Sequence, residues 1–97
     1  MLFVLEGKTP VAVNDVMEWA VKIEGCKRVV AYNVYKGVRV STVFLGMNYG
    51  HHSDVPILFE TMIFGGEHNH YCNRYATWDE AEAGHKIAIQ KVEKILI

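Results

Sequence analysis

Ninety-seven residues, 51% hydrophobic and 22% charged, suit one soluble globular domain, with chain enough for a single core and not for a second. A net charge of −1 and a pI near 6.5 exclude the clustered Lys and Arg that neutralising several phosphates demands, so neither nucleic acid nor a membrane is an expected partner. Cys26 and Cys72, without a CxxC spacing, are too few for a secreted disulfide framework, and no leader or apolar run of roughly 18 residues is present, so the expected location is the cytoplasm.

The run Leu2-Phe3-Val4-Leu5, stopped by Glu6-Gly7-Lys8, predicts a first strand and a turn. After Thr9-Pro10 the period changes. Val13, Val16, Met17, Ala20 and Ile23 recur at helical spacing, Asn14 or Asp15 can cap the free amides, Asp15 with Glu18 as a capping box, and Gly25 is a stop, which predicts a helix over 15–24. Residues 28–45 turn β-branched and aromatic around Lys36-Gly37, the pattern of a tight hairpin. The run 46–56, rich in loop-forming residues, is long enough to suggest function. A strand over 57–64, a turn at Gly65-Gly66-Glu67 and a return strand over 68–76 follow.

Thr77 and Glu80 then form a capping box, with Asp79, Glu80 and Glu82 at the positive end of the helix dipole and Lys86, Lys91 and Lys94 towards the other. This predicts a helix over 78–95. The order is β-α-β-β-β-β-α: a single α+β domain over 1–97, with a small antiparallel β-sheet and the C-terminal helix packed on one face.

On that helix Trp78, Ala81, His85, Ala88, Ile89, Val92 and Leu96 share a stripe that must meet the sheet, with His85 near its middle. Gly84 lies at the stripe's edge, where close approach of the sheet would offset the roughly 1 kcal/mol that a mid-helix glycine costs. The strand 57–64 puts Ile57, Phe59, Thr61 and Ile63 on one face and Leu58, Glu60, Met62 and Phe64 on the other. Both faces are apolar, so an uncovered one is a candidate surface for a homodimer or a protein partner.

The blocks VSTVFLG (40–46), LFETMIFGG (58–66) and RYATWDEAEAGH (74–85) resemble a family of small proteins of tailed phages and prophages. The resemblance spans roughly residues 40 to 85, with Ser41, Thr42, Glu60, Thr61, Thr77, Glu80 and His85 at its recurring polar positions. It implies a phage setting and no particular reaction. Small accessory proteins that bind and block a host factor, including anti-CRISPR and other anti-defence proteins, belong to that setting. HHSD and EHNHYC stand outside the shared pattern.

Chemistry-bearing residues are concentrated between 51 and 85. His68, His70 and Cys72 would project from one face if they share a strand, and imidazole and thiolate suit zinc, with His51, His52, Asp54 or Glu60 to complete a set. His51 and His52 lie on the long loop as contact, ligand or acid–base candidates. Glu60 and His85 are ionisable groups among apolar neighbours. They pair if the 58/60/62/64 face meets the helix, and Thr61 becomes the partner of His85 if the other face does. No nucleophile elbow, Walker loop or dinucleotide fingerprint occurs, so no catalytic residue is assigned.

The expected function is therefore that of a phage accessory protein binding a host or phage protein, dimeric, through His51, His52, Glu60, His85 and the 46–56 and 65–73 segments. No cofactor is expected under it. The alternatives are a zinc-binding module or small enzyme at His68, His70 and Cys72, and a small-ligand binder near Glu60 and His85.

Overall fold

The computed structural model describes the backbone of residues 1–50 and 54–96 and the side chains as far as Lys94. Among the described residues, six strands and two helices follow in the order β1 (Leu2–Glu6), β2 (Thr9–Val13), α1 (Val16–Glu24), β3 (Val29–Tyr35), β4 (Val38–Phe44), β5 (Phe59–Phe64), β6 (Cys72–Tyr75) and α2 (Trp78–Leu96). The α+β class, the antiparallel sheet and the C-terminal helix on one of its faces are as the sequence predicts.

The strand that sequence reading leaves unassigned is β2. It pairs antiparallel with β1 through Leu2↔Val13 to Glu6↔Thr9, around a turn in which Gly7 takes a φ of 63°. Pro10 masks it, because a proline removes a ladder donor and reads as a breaker, yet β2 is an edge strand where that loss is tolerated. This hairpin joins the body where Phe3 N–H donates to Gly46 O at 2.9 Å and Leu2 bridges Met47.

Helix α1 begins as predicted, with Asp15 accepting from Met17 N–H at 2.8 Å, and ends at Gly25. Its buried face is different from the one that apolar spacing suggests. Ile23 is buried and Trp19 half-buried, whereas Val16, Met17, Ala20 and Val21 face outward. The indole N–H of Trp19 donates to Phe3 O at 2.9 Å, and both Trp19 and Ile23 pack on the bare backbone of Gly46. A side chain with both a large ring and a donor is a stronger anchor than valine or methionine, and it decides the helix's rotation.

The main sheet has the order β3-β4-β5-β6, antiparallel throughout. Lys36 and Gly37, at φ 48° and 85°, form the two-residue turn between β3 and β4, and Tyr35↔Val38 is the first pair above it. A register shift between Val29 and Ala31 turns Val30 towards the core. Helix α2 lies across β3, β4, β5 and β6 on the face formed by Val38, Val40, Thr42 and Phe44 of β4 and Phe59, Thr61 and Ile63 of β5.

Two apolar clusters result. One joins the N-terminal hairpin and Ile23 to Phe44, Leu58, Phe59, Tyr75, Trp78 and Ala81, with Phe59 stacked at a tilt on Phe44 and edge-on to Trp78. The other holds Val38, Val40, Ile63, Ala88 and Val92. Burying these side chains is the main favourable term in folding, at roughly 1.5–3 kcal/mol for each large one.

Candidate functional site

Between the two clusters lies a polar chain. Thr61 Oγ1 stands 2.6 Å from Thr42 Oγ1, Thr42 Oγ1 stands 2.7 Å from His85 Nδ1, and His85 Nε2 stands 2.8 Å from Asn33 Oδ1. The sheet register accounts for the alignment, because Thr42 and Thr61 are direct partners on neighbouring strands. The carbonyl oxygen of Asn33 can only accept, so Nε2 donates to it. A neutral ring then accepts at Nδ1 from the Thr42 hydroxyl, which accepts in turn from Thr61. His85 is buried, and burial holds its pKa below the ordinary histidine value, which keeps the ring in this neutral form.

Of the two alternatives for His85, the Glu60 couple is therefore absent. The face that meets α2 is the 59/61/63 face, which leaves Glu60 on the opposite side of the sheet. Thr61 does belong to the histidine's network, one hydroxyl further away, because its register partner Thr42 on β4 intervenes. Nothing in the sequence marks Asn33 and Thr42 as ring partners, since only strand pairing brings them to the histidine.

Tyr75 borders this network. Its ring lies against Gly84, where any Cβ would collide with the phenol, and so the predicted close approach at that glycine is found. Its hydroxyl is buried and meets hydrogen-bonding geometry with no described residue; burial raises its pKa, and the neighbouring Thr61 side chain opposes that rise.

No described helix packs on the other face of the main sheet. Val29, Tyr32 and Val34 of β3 are about half exposed there, beside Arg39, Ser41 and Val43 of β4, Glu60, Met62 and Phe64 of β5, and Cys72 and Arg74 of β6. Arg74 Nε donates to Glu60 Oε2 at 2.9 Å, and Cys72 Sγ to the same oxygen at 3.5 Å. Burial first, and the Glu60 charge second, push the Cys72 thiol above its ordinary pKa, so it is a poor nucleophile at neutral pH. The Arg39 guanidinium lies 5.2 Å from the centre of the Phe64 ring, and that of Arg74 5.0 Å from the Tyr49 ring.

His68 and His70 sit in the turn and not on β6, which is shorter than the predicted 68–76 strand and begins at Cys72. Gly65 and Gly66 adopt positive φ, Asn69 Oδ1 accepts from Gly65 N–H at 2.7 Å, and His70 itself has a φ of 73°. The alternating projection that would have converged His68, His70 and Cys72 on one ion therefore does not arise. No group of three or more His, Cys, Asp or Glu poised for a metal occurs among the described residues. His51 and His52 lie outside the described residues. The start of their loop is organised by Asn48, whose Oδ1 accepts from Gly50 N–H at 2.8 Å and Ile57 N–H at 3.0 Å.

Two described surface hollows lie away from Glu60 and His85. One is formed by Val4–Glu6, Lys22, Gly25 and Cys26, the other by Lys8–Pro10 and Thr77–Asp79. No described helix is long and apolar enough to cross a membrane. No family model matches the chain, and neither a curated protein nor a solved structure matches it. Function is therefore to be read from these surfaces.

Proposed function

We propose that this chain is a small accessory protein that binds another protein through the uncovered face of its four-stranded sheet. The observation that carries this is the pair of exposed side chains Tyr32 and Val34, at 54% and 55%, standing in cross-strand rows with Met62 and Phe64 on a face against which no described helix packs. Antiparallel sheets with one solvated face ordinarily alternate apolar and polar residues cleanly. Here apolar side chains occupy both faces, the pattern of a layer awaiting another.

The dimensions agree. The accessible surface is 6193 Å², against about 5,600 Å² for a folded monomer of this mass. The radius of gyration is 14.4 Å, against about 12.5 Å for a compact domain of this length. Aromatic residues and arginine, both present on the face, are the types enriched in protein–protein interfaces.

The likeness of the blocks in β4, in β5 and across β6 to α2 to small phage and prophage proteins supports a host or phage protein as the partner, a component of host defence among them. The chain acts by binding and blocking. A second copy is the simplest alternative occupant.

Met62→Glu places a charge in the middle of the face without touching the buried side. The wild-type chain is expected to retain a host or phage protein from lysate, and the folded M62E variant to lose it. Equal retention by both would overturn the proposal. Sedimentation of the purified chain as a monomer at micromolar concentration would remove the homodimer.

A further inference from the structure

The edge of the same sheet narrows the partner, an inference that rests on the protein-binding role proposed above. In a two-residue hairpin the pair next to the turn exchanges both backbone hydrogen bonds, and bonded pairs then alternate. Tyr35↔Val38, Asn33↔Val40 and Ala31↔Thr42 are thus the bonded pairs of β3 with β4. The parity is confirmed further along β4, where Phe44 N–H donates towards β3 at Arg28 O and Leu45 N–H towards β5 at Leu58 O. The N–H and C=O groups of Tyr32 and Val34 consequently point away from β4, along an edge that no described strand pairs.

This edge lacks the usual protections. Natural edge strands are kept short, interrupted by proline or guarded by a charge within the strand. At the opposite edge β6 has four residues and carries Arg74. Edge strand β3 has seven residues, no proline and no charged side chain, and its register shift lies at its first residues, leaving 31–35 regular. The side chains beside the outward backbone groups are Tyr32 and Val34, both on the uncovered face.

Along the chain, the charges in and beside β3 have one sign. Residues 25–50 contain Lys27, Arg28, Lys36 and Arg39 and no Asp or Glu, in a chain whose net charge is −1. Lys27 and Arg28 are exposed at the start of β3, and Arg39, also exposed, is the register partner of Val34. The acid in contact with β3 is Glu93 of α2, which Tyr35 engages on the covered side. A second copy set edge to edge would bring these cations near their own kind, which disfavours self-pairing.

We infer that β3 accepts an extended segment of a partner protein as a fifth strand, one with acidic residues at the ends of an alternating apolar and small polar core. Main-chain bonds to Tyr32 and Val34 supply affinity, apolar side chains of the segment lie beside those two residues, and its acids meet Lys27, Arg28 and Arg39.

Val34→Pro tests this without disturbing the fold, because the N–H it removes faces outward and the preceding Asn33 is already extended. The probe is a short capped peptide of alternating valine and threonine with acidic ends, compared with the same core carrying lysine ends. Amide shifts and slowed exchange at Tyr32 and Val34 are expected with the acidic peptide. Affinity is expected to fall at least about tenfold in V34P, in Arg28→Glu and with the lysine-ended peptide.

Absence of binding to the wild type, equal binding of both peptides, or equal binding by wild type and V34P would overturn the inference. So would self-association that V34P abolishes, or a DNA oligonucleotide shifting the same amides in place of the peptide. A protein retained equally by wild type and V34P but lost in M62E would overturn strand addition while leaving binding at the open face standing.

Discussion

His85 Nδ1 meets Thr42 Oγ1 at 2.7 Å, tying the middle of α2 to the centre of β4. Both threonines and the imidazole are buried, and an orphaned buried polar group costs roughly 1–3 kcal/mol. His85→Ala also leaves a cavity and is expected to lose about 2–4 kcal/mol of stability in urea unfolding.

The same histidine makes stability depend on pH. Its folded pKa is depressed by burial, so the unfolded chain takes up the proton first as pH falls. The ring's contribution is complete above the ordinary value near 6.5 and declines as pH drops through and below it. Urea midpoints measured from about pH 8 to about pH 5 should fall on the acid side for the wild type. His85→Gln should flatten that part of the curve, and an unchanged slope would refute the assignment.

Gly84 and Tyr75 form a second coupled pair. Alanine usually stabilises a helix interior by about 1 kcal/mol over glycine. At Gly84 the added methyl meets the Tyr75 phenol, so Gly84→Ala is expected to destabilise by about 1–3 kcal/mol. Tyr75→Phe removes a buried hydroxyl without a described partner and should be neutral or stabilising by up to about 1 kcal/mol. Thermal melts of both variants and of the double variant would show whether the ring is what rejects alanine.

On the open face, Cys72 should alkylate slowly at neutral pH despite being exposed, because burial of its sulfur and the Glu60 carboxylate both disfavour the thiolate. Glu60→Gln removes the charge and should speed iodoacetamide labelling. The accompanying loss of the Glu60–Arg74 pair, whose arginine is 47% exposed and screened by solvent, should leave the denaturation midpoint close to that of the wild type.

The rotation of α1 makes a further contrast. Val21→Lys, on the outward side, should change stability by less than about 0.5 kcal/mol. Ile23→Ala, on the side facing Gly46 and Trp19, should cost about 2–4 kcal/mol. Denaturant unfolding of the two variants decides which face of the helix is buried.

The sequence by itself determined the features that depend on neighbours along the chain. The Asp15 and Thr77 caps, the Lys36-Gly37 turn, the apolar stripe of α2 and the burial of His85 all follow from spacing within a few residues. Tertiary structure decided what depends on contacts between distant segments. The strand over 57–64 could present either face to α2, and both faces are apolar, so periodicity alone leaves both Glu60 and Thr61 as candidates for the histidine. Packing of Phe59 against Phe44 and Trp78 resolved it, sending Thr61 inward and Glu60 out to Arg74. The partners of His85, Asn33 and Thr42, lie 52 and 43 residues away and acquire their roles only through strand register. The unpaired edge of β3 is likewise invisible until strand order is known, because an edge is defined by the neighbour a strand does not have.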